Sequence, residues 1–247
     1  MFDYTAPQQL LKDKVIMVTG AGDGIGRAAA ITYAQHGATV ILLGKTLEKL
    51  EAVYDQIEAL GAPQAAIIPL DLSTATEREY IELTDNIDSE FGRLDGLLHN
   101  ASLLGMRTPI ENYDPITWEK VMKVNAYAPF ILTQNLLPLL RLSENGTIAF
   151  TSSSVGVKGR AYWGAYSVSK FATQGMMEIL ADELENTSNV RCNCINPGAT
   201  RTPMRAQAYP GEIPENNPTP EEIMPVYLYL MGNDSLNISG QTFNAQS

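Results

Sequence analysis

The chain is poor in residues that staple or metallate a fold: it has two cysteines, Cys192 and Cys194, and two histidines, His36 and His99. A disulfide framework is thereby excluded, and no grouping of His and Cys has metal-ligand spacing. The cysteines alternate along an apparent strand, so their side chains share a face with poor geometry for a mutual bond. A buried, reduced pair in a cytoplasmic protein is the expectation. Basic residues are also few, 17 against 28 acidic ones, and the net charge of −11 argues against a nucleic-acid partner or an anionic membrane surface. An anionic ligand must then be held by local groups against an unfavourable overall field. No apolar run reaches membrane-spanning length, and residues 1–14 lack the basic start and apolar core of a secretory signal.

What is present is a regular alternation of short apolar runs and helical periods. Residues 15–18 form an apolar run of the kind buried on both sheet faces, followed by Thr19-Gly20-Ala21-Gly22-Asp23-Gly24-Ile25-Gly26 and an alanine-rich helix closed by Gly37. Glycines at such a strand-to-helix turn let the backbone approach a pyrophosphate at the helix N-terminus. Further strands are expected at 40–43, 65–70, 94–98, 147–150 and 190–195, with a short last one at 241–244. Helices are expected between them, including 115–140, bent at Pro129, and one carrying Tyr166 to about residue 185. No linker, repeat or low-complexity segment interrupts the pattern. The expectation is one domain over 1–247, a Rossmann-type doubly wound α/β fold with a mostly parallel seven-stranded sheet and helices on both faces. Residues 203–220 carry five prolines and form a long connection at the carboxyl edge of the sheet, placed to lid a substrate. Thr219-Pro220-Glu221-Glu222 reads as a capping box, with Pro225 obscuring where its helix starts.

The second strand ends in Gly44-Lys45. An acidic residue there would bond the ribose hydroxyls of NAD; a cation favours the 2′-phosphate of NADP. NADP(H) is therefore expected over NAD(H). Arg27 offers a second cation, whereas Asp23 opposes the phosphate if it lies near it. Asp71, at the end of the third strand, either accepts from the adenine amino group or caps the next helix with Ser73. Tyr166 and Lys170 stand four apart on one helix face. An ammonium beside a phenol favours the phenolate, giving an acid/base pair tuned toward neutrality.

In order along the chain, these residues resemble the short-chain dehydrogenase/reductase superfamily in its single-domain form. The likeness rests on T-G-x-x-x-G-x-G at 19–26, N-A-S at 100–102 where the family usually has N-A-G, a helical Asn125, Ser153 thirteen residues before the tyrosine, Y-x-x-x-K at 166–170, and P-G followed by Thr202. Residues 151–156 and 196–202 are more similar still to a bacterial subgroup, the YciK-like oxidoreductases. The resemblance implies Tyr166 as acid/base and Lys170 lowering its pKa while holding the nicotinamide ribose. Ser153 would bond the substrate oxygen, and Asn125 would hold a water in a proton relay. It assigns the cofactor to Gly20, Asp23, Gly24, Ile25, Gly26, Lys45, Asp71, Leu72, Asn100, Ala101, Tyr166, Lys170, Pro197, Gly198, Thr200 and Thr202. On the residues alone, the three adjacent serines can instead satisfy their own backbone, and Asn125 can instead bond a neighbouring helix. The substrate implied is a carbonyl or secondary alcohol of a small to medium organic molecule. A catalytically silent NAD(P)-binding regulator on the same fold is the alternative, whose mark would be loss of Tyr166 or Lys170. A homodimer or homotetramer is expected from the resemblance and from the apolar positions Phe171, Met176, Met177, Ile179, Leu180 and Leu184, more than one helix face should need.

Overall fold

The computed structural model describes residues 1–246. Its seven strands are β1 (Val15–Thr19), β2 (Thr39–Gly44), β3 (Ala66–Pro69), β4 (Gly96–His99), β5 (Thr147–Thr151), β6 (Arg191–Asn196) and β7 (Thr242–Asn244). They pair in the order β3-β2-β1-β4-β5-β6-β7. Every pair is parallel, the last included. Central strands such as β1 and β5 are buried along their whole length, because helices cover both faces.

The period-2 pleat divides the apolar residues between two cores. Ile16, Val18 and Leu42 pack with Tyr33 of α1 (Gly24–Gln35), Leu50 of α2 (Leu47–Ala59) and Tyr227 of α8 (Met224–Met231). Their neighbours Met17, Ile41 and Leu97 face the other way. They meet Tyr80 of α3 (Glu77–Phe91), Leu136 of α5 (Ala128–Arg141) and Met177 of α6 (Gly164–Leu184). Strand order reverses between β1 and β4, and the carboxyl ends of those strands open the crevice where ligands of such sheets bind.

The helix expected over 115–140 is divided. α4 (Pro115–Met122) runs into a π-helical turn (Lys123–Tyr127) before α5 begins. Pro129 has no N–H for the carbonyl of Asn125, and one turn ahead of it the backbone widens so that Ala128 N–H reaches Lys123 O, five residues back. The 219–222 capping box forms in both directions, at 2.7 and 3.4 Å, but it closes only a single 3₁₀ turn, Glu221–Ile223, before α8. The 203–220 connection contains α7 (Pro203–Ala208) and a 3₁₀ turn (Pro214–Asn216). Arg201 fastens it by donating to the carbonyls of Pro214, Glu215 and Asn217.

Candidate active site

At the end of β1, the Thr19 hydroxyl accepts from the backbone N–H groups of Asn100 (2.9 Å) and Ala101 (3.0 Å). Asn100 in turn donates to Thr19 O at 3.3 Å and accepts from the Thr151 hydroxyl at 3.3 Å. Three strand ends are thereby laced together at the switch point. The glycine turn lies against this lacing. Gly20 (φ +68°) would place a Cβ 3.0 Å from Ala101 Cα, and Gly24 (φ +52°) would place one 3.4 Å from Thr202 Cγ2. The space such atoms would fill is a cradle shaped for a ligand that presses on bare backbone.

The cradle opens into a cavity of about 420 Å³ that continues past β4 and β5 to α6 and α7. Every residue expected at the cofactor or the reaction lines it except Gly26 and Asn125. Gly26 instead lets α1 close on β1: a Cβ there would lie 2.1 Å from Gly20 O and 2.6 Å from Asn100 Nδ2.

At the end of the cavity nearest β2, Lys45 is exposed to the opening. Arg27 is not the second cation there. It donates to Gln56 Oε1 at 2.5 Å and pairs with Glu221 at 3.6 Å, outside the cavity. Lys49 and Lys120 line it instead, and sequence spacing gave neither a reason to be singled out. Asp23 caps α1 by accepting from Gly24 N–H at 2.7 Å and is paired with Lys49. The Lys49 hydrogen bond holds its carboxyl below the usual range. Asp71 accepts from Ser73 N–H at 2.8 Å and so closes the turn after β3; the next helix, α3, is capped by Thr76, not by Asp71. Burial opposes its ionisation, but hydrogen bonds from Ser73 and the charges of Lys45 and Lys120 together keep its pKa below the ordinary value.

At the other end, α6 presents Tyr166 and Lys170, both buried, from its first two turns. Lys170 Nζ donates to Thr151 O at 2.7 Å and sits 5.5 Å from the centroid of the Tyr166 ring. Burial pushes the Tyr166 hydroxyl up to about 12, against a hydrogen bond with Ser153 that favours the phenolate. Burial also brings Lys170 down to about 8. The expected lowering of Tyr166 by Lys170 is not what this geometry gives. The ammonium lies over the ring and spends a hydrogen on a strand carbonyl, and the desolvation that disfavours a phenolate wins.

The three serines are separated by their partners. Ser152 accepts from Gln174 Nε2 at 2.9 Å, and Ser154 is exposed outside the cavity. Ser153 lines the cavity beside Tyr166. Asn125 is 2% exposed and its side chain is fully engaged. It accepts from Leu103 N–H at 2.8 Å and donates to Leu103 O at 2.9 Å and Ser169 Oγ at 3.0 Å. The side chain thus ties the loop after β4 to α6, with both amide hydrogens spent on protein partners. Ser102, which stands where the family usually has glycine, has a buried hydroxyl with no partner and lines the cavity. An orphaned hydroxyl here is a polar contact held ready for a bound molecule.

Beyond Tyr166, the wall is Leu104, Trp163, Met204 and Ala208. Arg107 lies against both Trp163 (4.6 Å) and Tyr209 (4.8 Å), whose ring centroids are 6.0 Å apart, and donates to Ala208 O. Arg205, also on the wall, lies 3.9 Å from the Tyr209 centroid and pairs bidentately with Glu212 at 2.6 Å. The start of the 203–220 connection, α7, is therefore a structured wall of the cavity.

The family model described as short chain dehydrogenase matches residues 14–212. The uncharacterized oxidoreductase YciK of Escherichia coli (strain K12) is 54% identical over 98% of this chain and 96% of its own length. A solved chain described as a short chain dehydrogenase from Pseudomonas syringae is 61% identical, with full coverage of both chains and a TM-score of 0.96. Another, from Escherichia coli CFT073 and solved in complex with NADPH, is 55% identical over 98% of this chain and all of its own, with a TM-score of 0.95. Likeness at this level runs through the sheet, the glycine turn and the Tyr/Lys helix alike, so the chain belongs to the short-chain dehydrogenase family of oxidoreductases.

Proposed function

We propose that the protein is an NADP-dependent oxidoreductase that moves a hydride between nicotinamide and a carbonyl or secondary alcohol of a small to medium organic molecule, in a single domain. The observation that carries this reading is one continuous cavity: the glycine cradle and Lys45 stand at one end, and Tyr166, Ser153 and Lys170 at the other. The NADPH complex of a 55% identical neighbour supports the choice of cofactor.

When bound, nicotinamide supplies or accepts the hydride; the protein handles the charge on the oxygen. A carbonyl oxygen gaining negative charge needs a donor that does not titrate, which Ser153 provides. It also needs a proton. Tyr166, hydrogen-bonded with Ser153 in the same cavity, is placed to give one in reduction and to take one back in oxidation. Lys170 bonds the strand carbonyl and braces the ring of Tyr166. Asn125 keeps α6 and the loop after β4 in register, so that Ser102 and Tyr166 face one space. Both Tyr166 and Lys170 are present in the cavity, which speaks against a silent regulator.

A homodimer or homotetramer remains part of this proposal. Phe171 (44%) and Ile179 (60%) are exposed on α6, whereas Met177 and Leu184 serve the protein's own core. A monomeric mass in solution at micromolar concentration would remove it.

The decisive experiment is a titration with NADPH and, separately, NADH, followed by a carbonyl panel with Tyr166→Phe as control. Tighter NADPH binding, and turnover lost in Tyr166→Phe with NADPH affinity kept, is the expected result. Binding of neither nucleotide would sink the proposal.

A further inference from the structure

A carboxylate in the glycine turn should repel a phosphorylated ribose, yet Asp23 lines the same cavity end as Lys45. The structure gives Asp23 its own counter-charge. Lys49, on the first turn of α2, places Nζ 2.5 Å from Asp23 Oδ2, while Oδ1 accepts from Gly24 N–H at 2.7 Å. Both carboxylate oxygens are thus engaged. Packing fixes the approach: a Cβ at Gly22 would lie 2.9 Å from Lys49 Cβ, so the start of α2 is pressed onto the turn. Arg27 adds only the smallest of the attractions on Asp23. Arg27 is committed to Gln56 and Glu221, and Lys45 and Lys120 act on Asp71.

We infer that Lys49 is a specificity-determining residue for the 2′-phosphate of NADP, neutralising Asp23 and offering its remaining N–H groups to the phosphate beside Lys45. An ammonium has three donors and Asp23 takes one, which leaves two for a second anion. The inference rests on the NADP reading above. An ordinary exposed ion pair would be worth little and would not distinguish NADPH from NADH.

The test is equilibrium binding of NADPH and NADH, read by cofactor fluorescence, to the full-length protein and to Lys49→Met. Losing a charge-assisted contact to phosphate should weaken NADPH by about tenfold or more while NADH changes by less than about twofold. Adding Asp23→Asn to Lys49→Met should restore part of the NADPH affinity, because the unscreened carboxylate is then gone. No restoration would overturn the neutralising role. Equal weakening of both nucleotides would mean Lys49 only braces the turn, and unchanged affinity for both would mean a solvated surface pair; either overturns the inference. Wild-type protein that binds neither nucleotide would instead fail the NADP reading itself.

Discussion

His99 ends β4 one residue before Asn100, and its ring has been folded into the sheet's interior. It stacks on Phe150 at 4.7 Å between centroids, its Nε2 meets the Thr133 hydroxyl at 2.9 Å, and its Nδ1 has no partner. Burial lowers its pKa from 6.5 to about 3, so it is neutral in the folded protein at any ordinary pH. In the unfolded chain it takes up a proton below about 6.5. Between those values the unfolded state binds more protons, so stability contributed by neutral His99 is full above pH 6.5 and is lost as pH falls toward 3. At pH 5 the loss is about 2 kcal/mol, with roughly 30 unfolded chains protonated at this site for each that is not. Carboxylates titrate in the same window, so the assay must isolate the ring. Urea unfolding of wild type and His99→Asn, each at pH 7 and pH 5, does so. Wild type should lose about 2 kcal/mol more than the variant over that interval, whatever the variant's absolute stability. Equal pH dependence in the two proteins would refute the claim that the ring is held neutral by burial.

Asn125→Ala should strip three hydrogen bonds and leave partly buried backbone groups of Leu103 without their partner, costing about 3 kcal/mol and lowering Tm by roughly 6–12 °C. The melt should be accompanied by weaker NADPH binding, because the loop bearing Ser102 is released. Gly26→Ala should cut NADPH affinity by about tenfold or more, since its Cβ would overlap Gly20 O and force the cradle open. Gly175→Ala is its control: nothing lies within 4 Å of that added Cβ in α6. It should bind NADPH normally and be more stable by about 0.5–1 kcal/mol in chemical denaturation.

The sequence made legible what is written locally. Helical spacing places Tyr166 beside Lys170, and a buried apolar run before the glycine turn announces the cradle. Fold class followed from the alternation, down to the final strand at 242–244. What it hid depends on contacts between distant segments. Nothing near Asn125 says that its amide is consumed by Leu103 and Ser169, and nothing near Arg27 reveals the competition of Gln56 and Glu221. Lys49 reads as one more lysine on a polar helix face until α2 is docked against Gly22. The environment of Tyr166 is hidden for a similar reason. Spacing gives the neighbour's charge, whereas the depth of burial and the Thr151 carbonyl come from the assembled sheet.

The stack of Trp163, Arg107, Tyr209 and Arg205 has a consequence for anyone who would retarget the enzyme. Its four members come from three stretches: Arg107 from the loop after β4, Trp163 from the turn before α6, and Arg205 and Tyr209 from α7 and the residue that follows it. A transplant of residues 203–209 from a relative would bring Tyr209 and Arg205 without the host's matching Arg107 and Trp163, and the grafted wall would have nothing to lean on. The natural unit of exchange is therefore three discontinuous pieces moved together. Libraries that vary one loop at a time would sample mostly collapsed pockets and few new substrates.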